Sequence, residues 1–175
     1  MVVTANPKTW EPLEADSGRS GETKTFSLAE SPSKVELVQV HEKKGEEVDL
    51  AQAKIVVGAG RGFKKQEDLK LAKDLAELLG GALGCSRPLA ADLKWLGEEH
   101  WIGLSGNEIK PRLYIACGIS GQIQHITGCR GAKTIVAINQ DEDAPIFEHA
   151  DYGIVGDVYD VLPKLADHLK AKVTS

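Results

Sequence analysis

Five short apolar runs, each ending in small or polar residues, constrain the fold of this chain more than any other feature. They are KIVVGAG (54–60), ALGCS (82–86), RLYIACG (112–118), KTIVAIN (133–139) and DYGIVGD (151–157). Runs of this kind, rich in β-branched residues, are typical of strands that are buried in a parallel sheet. We therefore predict five strands after residue 50.

Helical patterns separate most of these runs. Residues 65–81 carry an apolar face at helical spacing and end at Gly80-Gly81. That face consists of Leu69, Ala72, Leu75, Ala76 and Leu79. Further helices are predicted from Ser120 to about Thr127 and over 158–172, with a short helix or turn at 144–150. This order predicts an α/β fold with a doubly wound, mostly parallel sheet between two layers of helices.

The first 47 residues differ from the rest, and we predict two parts, 1–47 and 48–175. VVTA (2–5), KTFSL (24–28) and KVELVQVHEK (34–43) have strand character, but they lie among prolines, glycines and polar residues. This segment has too few apolar residues to form a hydrophobic core of its own. We interpret it as an irregular arm, a linker, or the tail of a domain that is not present.

Composition limits the classes of function. The net charge is −5 and no block of basic residues is present, so neither nucleic acid nor an anionic membrane is an expected partner. No apolar run reaches the roughly 18 residues of a membrane span, and the first residues do not form a signal peptide. Cys85, Cys117 and Cys129 are widely spaced, which predicts neither a metal site nor a disulfide and favours the cytoplasm.

The strand ends carry the candidate ligand-binding residues, because parallel sheets bind ligands beyond the carboxyl ends of their strands. GAGRGF (58–63) lacks the third glycine of a dinucleotide motif, so a tight turn and a phosphate or ring contact through Arg61 are both open. CSRP (85–88) presents Ser86 and Arg87. This arginine is either solvated or placed on an electron-rich ring.

Two further loops carry serines. Ser105, in IGLSG (102–106), is a turn former or a hydroxyl donor to a ligand, and the motif alone favours the turn. GISGQIQH (118–125) is the sharpest signal, because a strand, a Gly/Ser turn and a helix start expose several backbone N–H groups that suit a diphosphate. A catalytic pair of Ser120 and His125 lacks both a GxSxG motif and an orienting acid.

The remaining polar candidates have two readings each. Asn139 and Asp157 end strands, where each either binds a ribose or an adenine edge or caps the next helix. Trp95 and Trp101 flank the sequence GEEH, and we interpret both as packing of a long loop. No metal-binding or catalytic residue is predicted.

Taken together and in this order, the motifs resemble the C-terminal domain of the electron transfer flavoprotein alpha subunit. GAGRGF, CSRP, WIGLSG, PRLYIACGISGQIQHITG, IVAINQDEDAPIFEHADYGIVGD and VLPKL carry the resemblance, which covers about residues 48–167. CSRP, IGLSG and GISGQIQH are most similar to the Fix-type branch. The arm then corresponds to the end of the family's first domain.

The resemblance implies FAD as the cofactor and an electron carrier rather than an enzyme with its own substrate. It also implies a heterodimer with a beta subunit. Electrons come from or go to a flavin dehydrogenase, such as an acyl-CoA dehydrogenase, or a ferredoxin- or quinone-linked partner in the bacterial cytoplasm. The implied FAD-binding residues are Arg61, Ser86, Arg87, Ile102, Gly103, Leu104, Ser105, Ser120, Gly121, Gln122, Ile123, Gln124, His125, Asn139, Asp157 and Val158.

Three roles follow from the resemblance. Arg87 matches the arginine over the isoalloxazine, Ser105 the hydroxyl near flavin N5, and His125 the histidine near the N1/O2 edge. Many members read GQTGK where this chain reads GLSGN, so Leu104, Ser105 and Asn107 depart from the family, although Ser105 keeps the hydroxyl. Two alternatives remain: a cofactor-free assembly module left by truncation, and a nicotinamide-dependent oxidoreductase on the same fold.

Overall fold

The computed structural model describes residue 4 and residues 14–27, 38–39 and 48–173. By its internal contacts the chain divides into two units, Met1–Lys44 and Gly45–Ser175, and the fold below is that of the second. The described part of the three strand-like segments of the arm is in no helix or strand, and the rest of those segments lies outside the described residues. No helix within the described residues is both long enough and apolar enough to cross a membrane.

The predicted five-stranded sheet is confirmed, and all its strands are parallel. The strands are β1 (Ile55–Ala59), β2 (Ala82–Cys85), β3 (Leu113–Cys117), β4 (Ile135–Asn139) and β5 (Tyr152–Val155). Their order in the sheet is β2-β1-β3-β4-β5. The chain therefore reverses direction across the sheet between β1 and β3, and such a switch point is where doubly wound folds open a crevice for a ligand.

Three α-helices cover the sheet: α1 (Lys70–Leu78), α2 (Ile123–Cys129) and α3 (Val158–Val173). Single 3₁₀ turns occupy Glu67–Leu69, Glu98–His100 and Pro145–His149, and Pro88–Asp92 forms a π-helical turn. The glycine stop predicted for α1 is present. Gly80 has φ +64°, and the N–H groups of Gly80 and Gly81 donate to the carbonyls of Glu77 and Ala76 at 3.0 and 2.8 Å.

The sheet separates two hydrophobic cores, as a doubly wound fold requires. On one face, alternate residues of β1 and β3 such as Val57 and Ile115 pack with α1 and with Val158 and Leu162 of α3. On the other face, Val56 and Tyr114 pack with α2, the turn Pro145–His149 and Leu50. Both faces of the central strands are therefore buried, which explains why their sequences read as continuous apolar runs.

Helix α2 begins later than the sequence predicts. The predicted start was Ser120, but Gly121 has φ +84° and Gln122 is extended, so the helix begins at Ile123. A side chain on Gly121 would also fall on the backbone of Ile146. The three residues before the helix therefore form a turn of their own at the end of β3.

Candidate functional site

A cleft of about 630 Å³ opens at the carboxyl edge of the sheet. All five strand-end loops contribute to it, from Arg61 after β1 to Asp157 after β5. Its lining includes every residue of the predicted FAD site except Ile123, whose side chain is 65% exposed. The structure thus gathers residues that are almost 100 positions apart into one site, while their binding roles stay predictions.

The loops after β1 and β3 lock together at the base of the cleft. The N–H groups of Gly60 and Gly62 donate to the carbonyls of Cys117 and Gly118 at 2.9 and 3.0 Å. A Cβ on Gly62 would lie 2.7 Å from the Cα of Gly118, and one on Gly60 would fall on the carbonyl of Gly118. The G-x-G-x-G spacing of GAGRG therefore serves the contact between two loops, which explains why it departs from a dinucleotide motif.

Phe63 confirms that departure. It stands where the third glycine of a dinucleotide motif would be, and it is 2% exposed in the core beside α1 and α3. Its ring meets the ring of Tyr159 edge-on, with centroids 6.2 Å apart. The side chain of Phe63 thus holds the loop to α3 where a dinucleotide motif has its third glycine.

A row of free backbone donors borders the cleft. Within the described residues, the N–H groups of residues 119–124 make no hydrogen bond. The loop is nevertheless fixed, because the carbonyl of Ser120 accepts from Ile146 N–H at 3.0 Å and that of Ile119 accepts from the Asn139 amide at 3.0 Å. Since α2 has only seven residues, these fixed amides rather than a helix dipole suit the site to an anion.

Two arginines give the cleft its positive charge. Arg61 and Arg87 both line it, and neither forms an ion pair with any described carboxylate. The guanidinium of Arg87 lies 5.9 Å from the centre of the Trp101 ring, a cation–π contact that holds its stem against the wall. Trp101 itself lines the cleft, so interpreting it as loop packing alone was incomplete.

The loop Ile102–Asn107 forms a wall of the cleft beside the end of β2, and hydrogen bonds hold it at several points. Ile102 N–H donates to the Cys85 carbonyl at 2.9 Å, and Leu104 N–H donates to the Gln124 carbonyl at 2.7 Å. The Asn107 amide closes the loop by donating to the carbonyls of Glu99 and Trp101 at 2.9 and 3.0 Å. The serine turn favoured by the sequence is therefore present, and Ser105 also lines the cleft.

The two strand-end residues with alternative readings both have structural partners. The Asp157 carboxylate accepts from Tyr159 N–H at 3.0 Å and so caps α3. Asn139 donates to Ile119 and accepts from Asp141 N–H at 3.1 Å, which fixes the β3 and β4 loops to each other. Both side chains also border the cleft, so capping and ligand contact are compatible.

His125 lines the cleft as a largely buried ring, and its role beside the flavin stays a prediction. The ring borders the cleft but is only 7% exposed, and Nε2 lies 2.7 Å from the hydroxyl oxygen of Tyr114. Nδ1 is buried and has no hydrogen-bond partner. With Nε2 engaged in this way, His125 is not available as a base for Ser120, and the hydrolytic pair is not formed.

The sequence analysis did not predict every residue that lines the cleft. The unpredicted residues are Gly62, Pro88, Trp101, Gly118, Ile119, Gln140, Asp141 and Ala144. All but Ala144 lie within two positions of a predicted residue, so extending each motif by two positions recovers them, whereas Ala144 lies five residues after Asn139. Trp101 lies in a loop that pairs with Cys85 at the end of β2.

Burial of His125 predicts an acid-sensitive stability. Burial lowers the pKa of His125 from 6.5 to about 4, a shift that the backbone of Ile102 partly opposes. The unfolded chain takes up a proton below about pH 6.5 while the folded chain stays neutral to about pH 4. The free energy of unfolding should therefore fall by about 2 kcal/mol between pH 7 and pH 5 from this group alone.

Urea unfolding of the chain at both pH values measures this loss. His125→Asn should reduce the loss between pH 7 and pH 5, whereas His168→Asn, at an exposed position of α3, should leave it unchanged. An equal pH dependence in wild type and His125→Asn would contradict the assignment.

Comparison with known proteins identifies the domain. Residues 49–130 match the family described as "Electron transfer flavoprotein FAD-binding domain". These residues belong to that family.

The relatives of this FAD-binding domain extend the match over almost the whole chain. "Putative electron transfer flavoprotein subunit YdiR" of Escherichia coli (strain K12) is 45% identical over 168 residues, which are 96% of this chain and 54% of the relative. "Protein FixB" of Salmonella typhimurium is 43% identical over 164 residues, or 94% of this chain and 52% of the relative. The chain thus spans about half the length of the curated relatives it matches.

The cleft fits the FAD that the family's description names. A row of free amides and two unpaired arginines suit a diphosphate and an electron-rich ring, and the exposed Leu104 and the Trp101 ring offer apolar surface. FAD is accordingly the cofactor of this domain. The three cysteines are buried free thiols, and burial raises the pKa of each to about 12, so all three remain protonated.

Proposed function

We propose that the chain is the FAD-holding part of an electron carrier, which takes electrons from a dehydrogenase and passes them to a redox acceptor. The observation that carries the proposal is the cleft at the sheet edge, where five loops supply free amides, arginines and hydroxyls and no acid–base pair among the described residues. Bound FAD supplies the redox chemistry. The protein's part is to bind the cofactor, orient it and set the charge around it.

Each part of the cleft has a proposed task. The N–H groups of residues 119–124 together with Arg61 bind the diphosphate, since fixed amides and a guanidinium both favour an anion. Arg87, held against Trp101, stabilises the negative charge that develops on the ring system on reduction. The hydroxyls of Ser86 and Ser105 are donors to ring heteroatoms.

The proposed partner of this domain is an electron transfer flavoprotein beta subunit, in a heterodimer. The proposed redox partners are a flavin dehydrogenase, such as an acyl-CoA dehydrogenase, or a ferredoxin- or quinone-linked protein. The names of the relatives support the general role, because one of them is named "Putative electron transfer flavoprotein subunit YdiR". Three buried free thiols fit the reducing bacterial cytoplasm, which is the compartment we propose.

Cofactor binding to the purified chain tests the proposal directly. FAD at a hundredfold excess over its Kd should stabilise the folded state by about 2.7 kcal/mol. For a domain of this size the melting temperature should then rise by about 5 to 10 °C. The measurement is a thermal unfolding series with FAD, FMN or NADH added, together with the visible spectrum of the FAD sample, with and without a beta subunit.

The changes in melting temperature with the three ligands distinguish between the alternative functions. A rise with FAD alone supports the electron carrier, and a rise with NADH alone would instead support a nicotinamide-dependent oxidoreductase. No rise with any ligand, even with a beta subunit present, would favour a cofactor-free assembly module. The packing of Phe63 in the core already weighs against the nicotinamide reading, because it replaces the third glycine of that motif.

A further inference from the structure

Tyr159, in the first turn of α3, does not line the cleft but contacts two of the loops that do. Its backbone N–H donates to the Asp157 carboxylate at 3.0 Å, and Asp157 borders the cleft. Its side chain reaches in another direction, to the residues that follow Arg61 in the loop after β1. One residue therefore connects the loop that carries Arg61 to the start of α3.

The hydroxyl of Tyr159 is the centre of a short chain of hydrogen bonds. The backbone N–H of Lys64 donates to its oxygen at 2.7 Å, and its O–H donates to Oδ2 of Asp68 at 2.6 Å. Burial and the hydrogen bond to Asp68 raise the pKa of Tyr159, so the hydroxyl keeps the proton that it donates. Because hydrogen bonds to a carboxylate are stronger than those between neutral groups, the tyrosine oxygen is held in one place against residues 64–68.

The ring of Tyr159 makes two further contacts with the same loop. The ring of Phe63 meets it edge-on with centroids 6.2 Å apart, and Nζ of Lys64 lies 5.3 Å from its centroid. These aromatic and cation–π contacts need the ring but not the hydroxyl. Replacing the tyrosine by phenylalanine therefore removes the two hydrogen bonds of the hydroxyl and keeps both the ring packing and the backbone cap on Asp157.

Arg61 lies in a tight turn, which Phe63 N–H closes by donating to the Gly60 carbonyl at 3.2 Å. The loop after β3 holds one side of this turn, and Tyr159 holds the residue that follows it. Arg61 forms no ion pair with any described carboxylate, so no charged partner orients its guanidinium. The direction of this side chain toward the cleft therefore depends on the backbone turn and on the contacts that hold the turn.

We propose that Tyr159 is a positioning residue, which fixes the turn around Arg61 relative to the start of α3 and thereby presents the guanidinium to the anionic part of the ligand. Without the hydroxyl the turn is free to move, and a ligand must order it on binding, which lowers affinity. The anchoring itself follows from the contacts of Tyr159 with Lys64 and Asp68. Its effect on FAD through Arg61 rests on the proposed function.

Hydrogen exchange of the Lys64 amide in the cofactor-free chain tests the anchoring by itself. In wild type the Tyr159 oxygen accepts this N–H, so in Tyr159→Phe the amide should exchange on the order of fivefold faster. Tyr152→Phe, at an exposed position of β5, is the matched control and should leave the Lys64 rate unchanged. An unchanged rate in Tyr159→Phe would overturn the anchoring, whether or not the chain binds FAD.

FAD affinity tests whether the anchoring acts on the cleft. In Tyr159→Phe the Kd for FAD should rise on the order of fivefold, and in Tyr152→Phe it should stay at the wild-type value. Leu79→Ala, a core substitution just after α1 that does not line the cleft, should lower the melting temperature and leave the Kd unchanged. A similar rise of the Kd in Leu79→Ala would overturn the positioning role, because a general loss of stability would then explain the effect.

A double-mutant cycle with Arg61→Ala identifies the group through which Tyr159 acts. If it acts through the guanidinium, Tyr159→Phe should change the Kd by less than about twofold once Arg61 is alanine. The full rise in that background, or no rise in the wild-type background, would overturn the proposal. If the wild-type chain binds no FAD, the proposed function fails and the effect on FAD fails with it, whereas the Lys64 exchange rate still decides the anchoring.

Two substitutions of Asp68 keep the proposal testable if Tyr159→Phe does not fold. Asp68→Ala removes the acceptor of the tyrosine O–H, so it should raise both the Kd for FAD and the exchange rate of the Lys64 amide. Asp68→Asn keeps a carbonyl acceptor at the same place and should bring both quantities back toward wild type. Equal effects of the two variants on the Kd and on the exchange rate would sink the proposal.

Discussion

Gly118→Ala is expected to lower the free energy of unfolding by about 3 to 5 kcal/mol and to abolish FAD binding at micromolar concentrations. Gly118 has φ +62°, and a Cβ there would lie 2.7 Å from the Cα of Gly62. The substitution therefore adds backbone strain and also forces apart the two loops that form the base of the cleft. Urea unfolding and FAD titration measure the two effects.

Gly80→Ala is the matched control for this substitution. Gly80 has φ +64°, nearly the same conformation, but a Cβ there would meet no atom within 4 Å. It should therefore cost only the backbone strain, about 1 to 2 kcal/mol, and leave FAD affinity unchanged. Equal losses in the two variants would show that the contact between the loops contributes nothing beyond the strain.

Arg87→Ala is expected to lower the two-electron midpoint potential of bound FAD by about 30 to 60 mV. The charge of a guanidinium close to the ring favours the reduced cofactor, and the loss of about 1.4 to 3 kcal/mol corresponds to that shift. Arg87 has no described carboxylate partner that would cancel its charge. Reductive titration of the FAD-loaded chain against a reference dye measures the potential.

Arg130→Ala is the control for Arg87→Ala, because it also removes one positive charge. Arg130 is also exposed, but it lies at the far end of α2 and does not line the cleft. It should leave the potential within a few millivolts of wild type, since exposed charges more than a Debye length of about 10 Å away are screened at ordinary salt. Arg87→Ala with FAD bound and an unchanged potential would remove this arginine from the site.

The sheet and most of the cleft follow from local sequence patterns. The apolar runs predicted all five strands, because a strand buried on both faces has no polar side chains to interrupt it. The polar strand ends predicted the cleft, because parallel strands deliver their carboxyl ends to one edge. Arg61 and Asp157, 96 residues apart, were placed together on that argument, and the structure brings both to the same cleft.

What the patterns missed depends on contacts between distant side chains. Tyr114 sits within an apolar run and reads as core, and nothing in its neighbourhood shows that its hydroxyl meets His125. The start of α2 was placed three residues early because the conformation of Gly121 follows from the turn Pro145–His149 packed against it. Trp101 was assigned to packing because the path of its loop across β2 leaves no sequence periodicity.

Because the cleft is built from all five strand ends, FAD binding can be used to measure how much of the chain is folded in a cell. No fragment that lacks one βα unit retains the complete site, so cofactor capture reports on the whole domain at once. A destabilising core substitution far from the cleft should therefore first produce protein without bound FAD. Partial unfolding separates the loops of the cleft before the chain is degraded. The yellow colour of a cell extract would then measure folding yield.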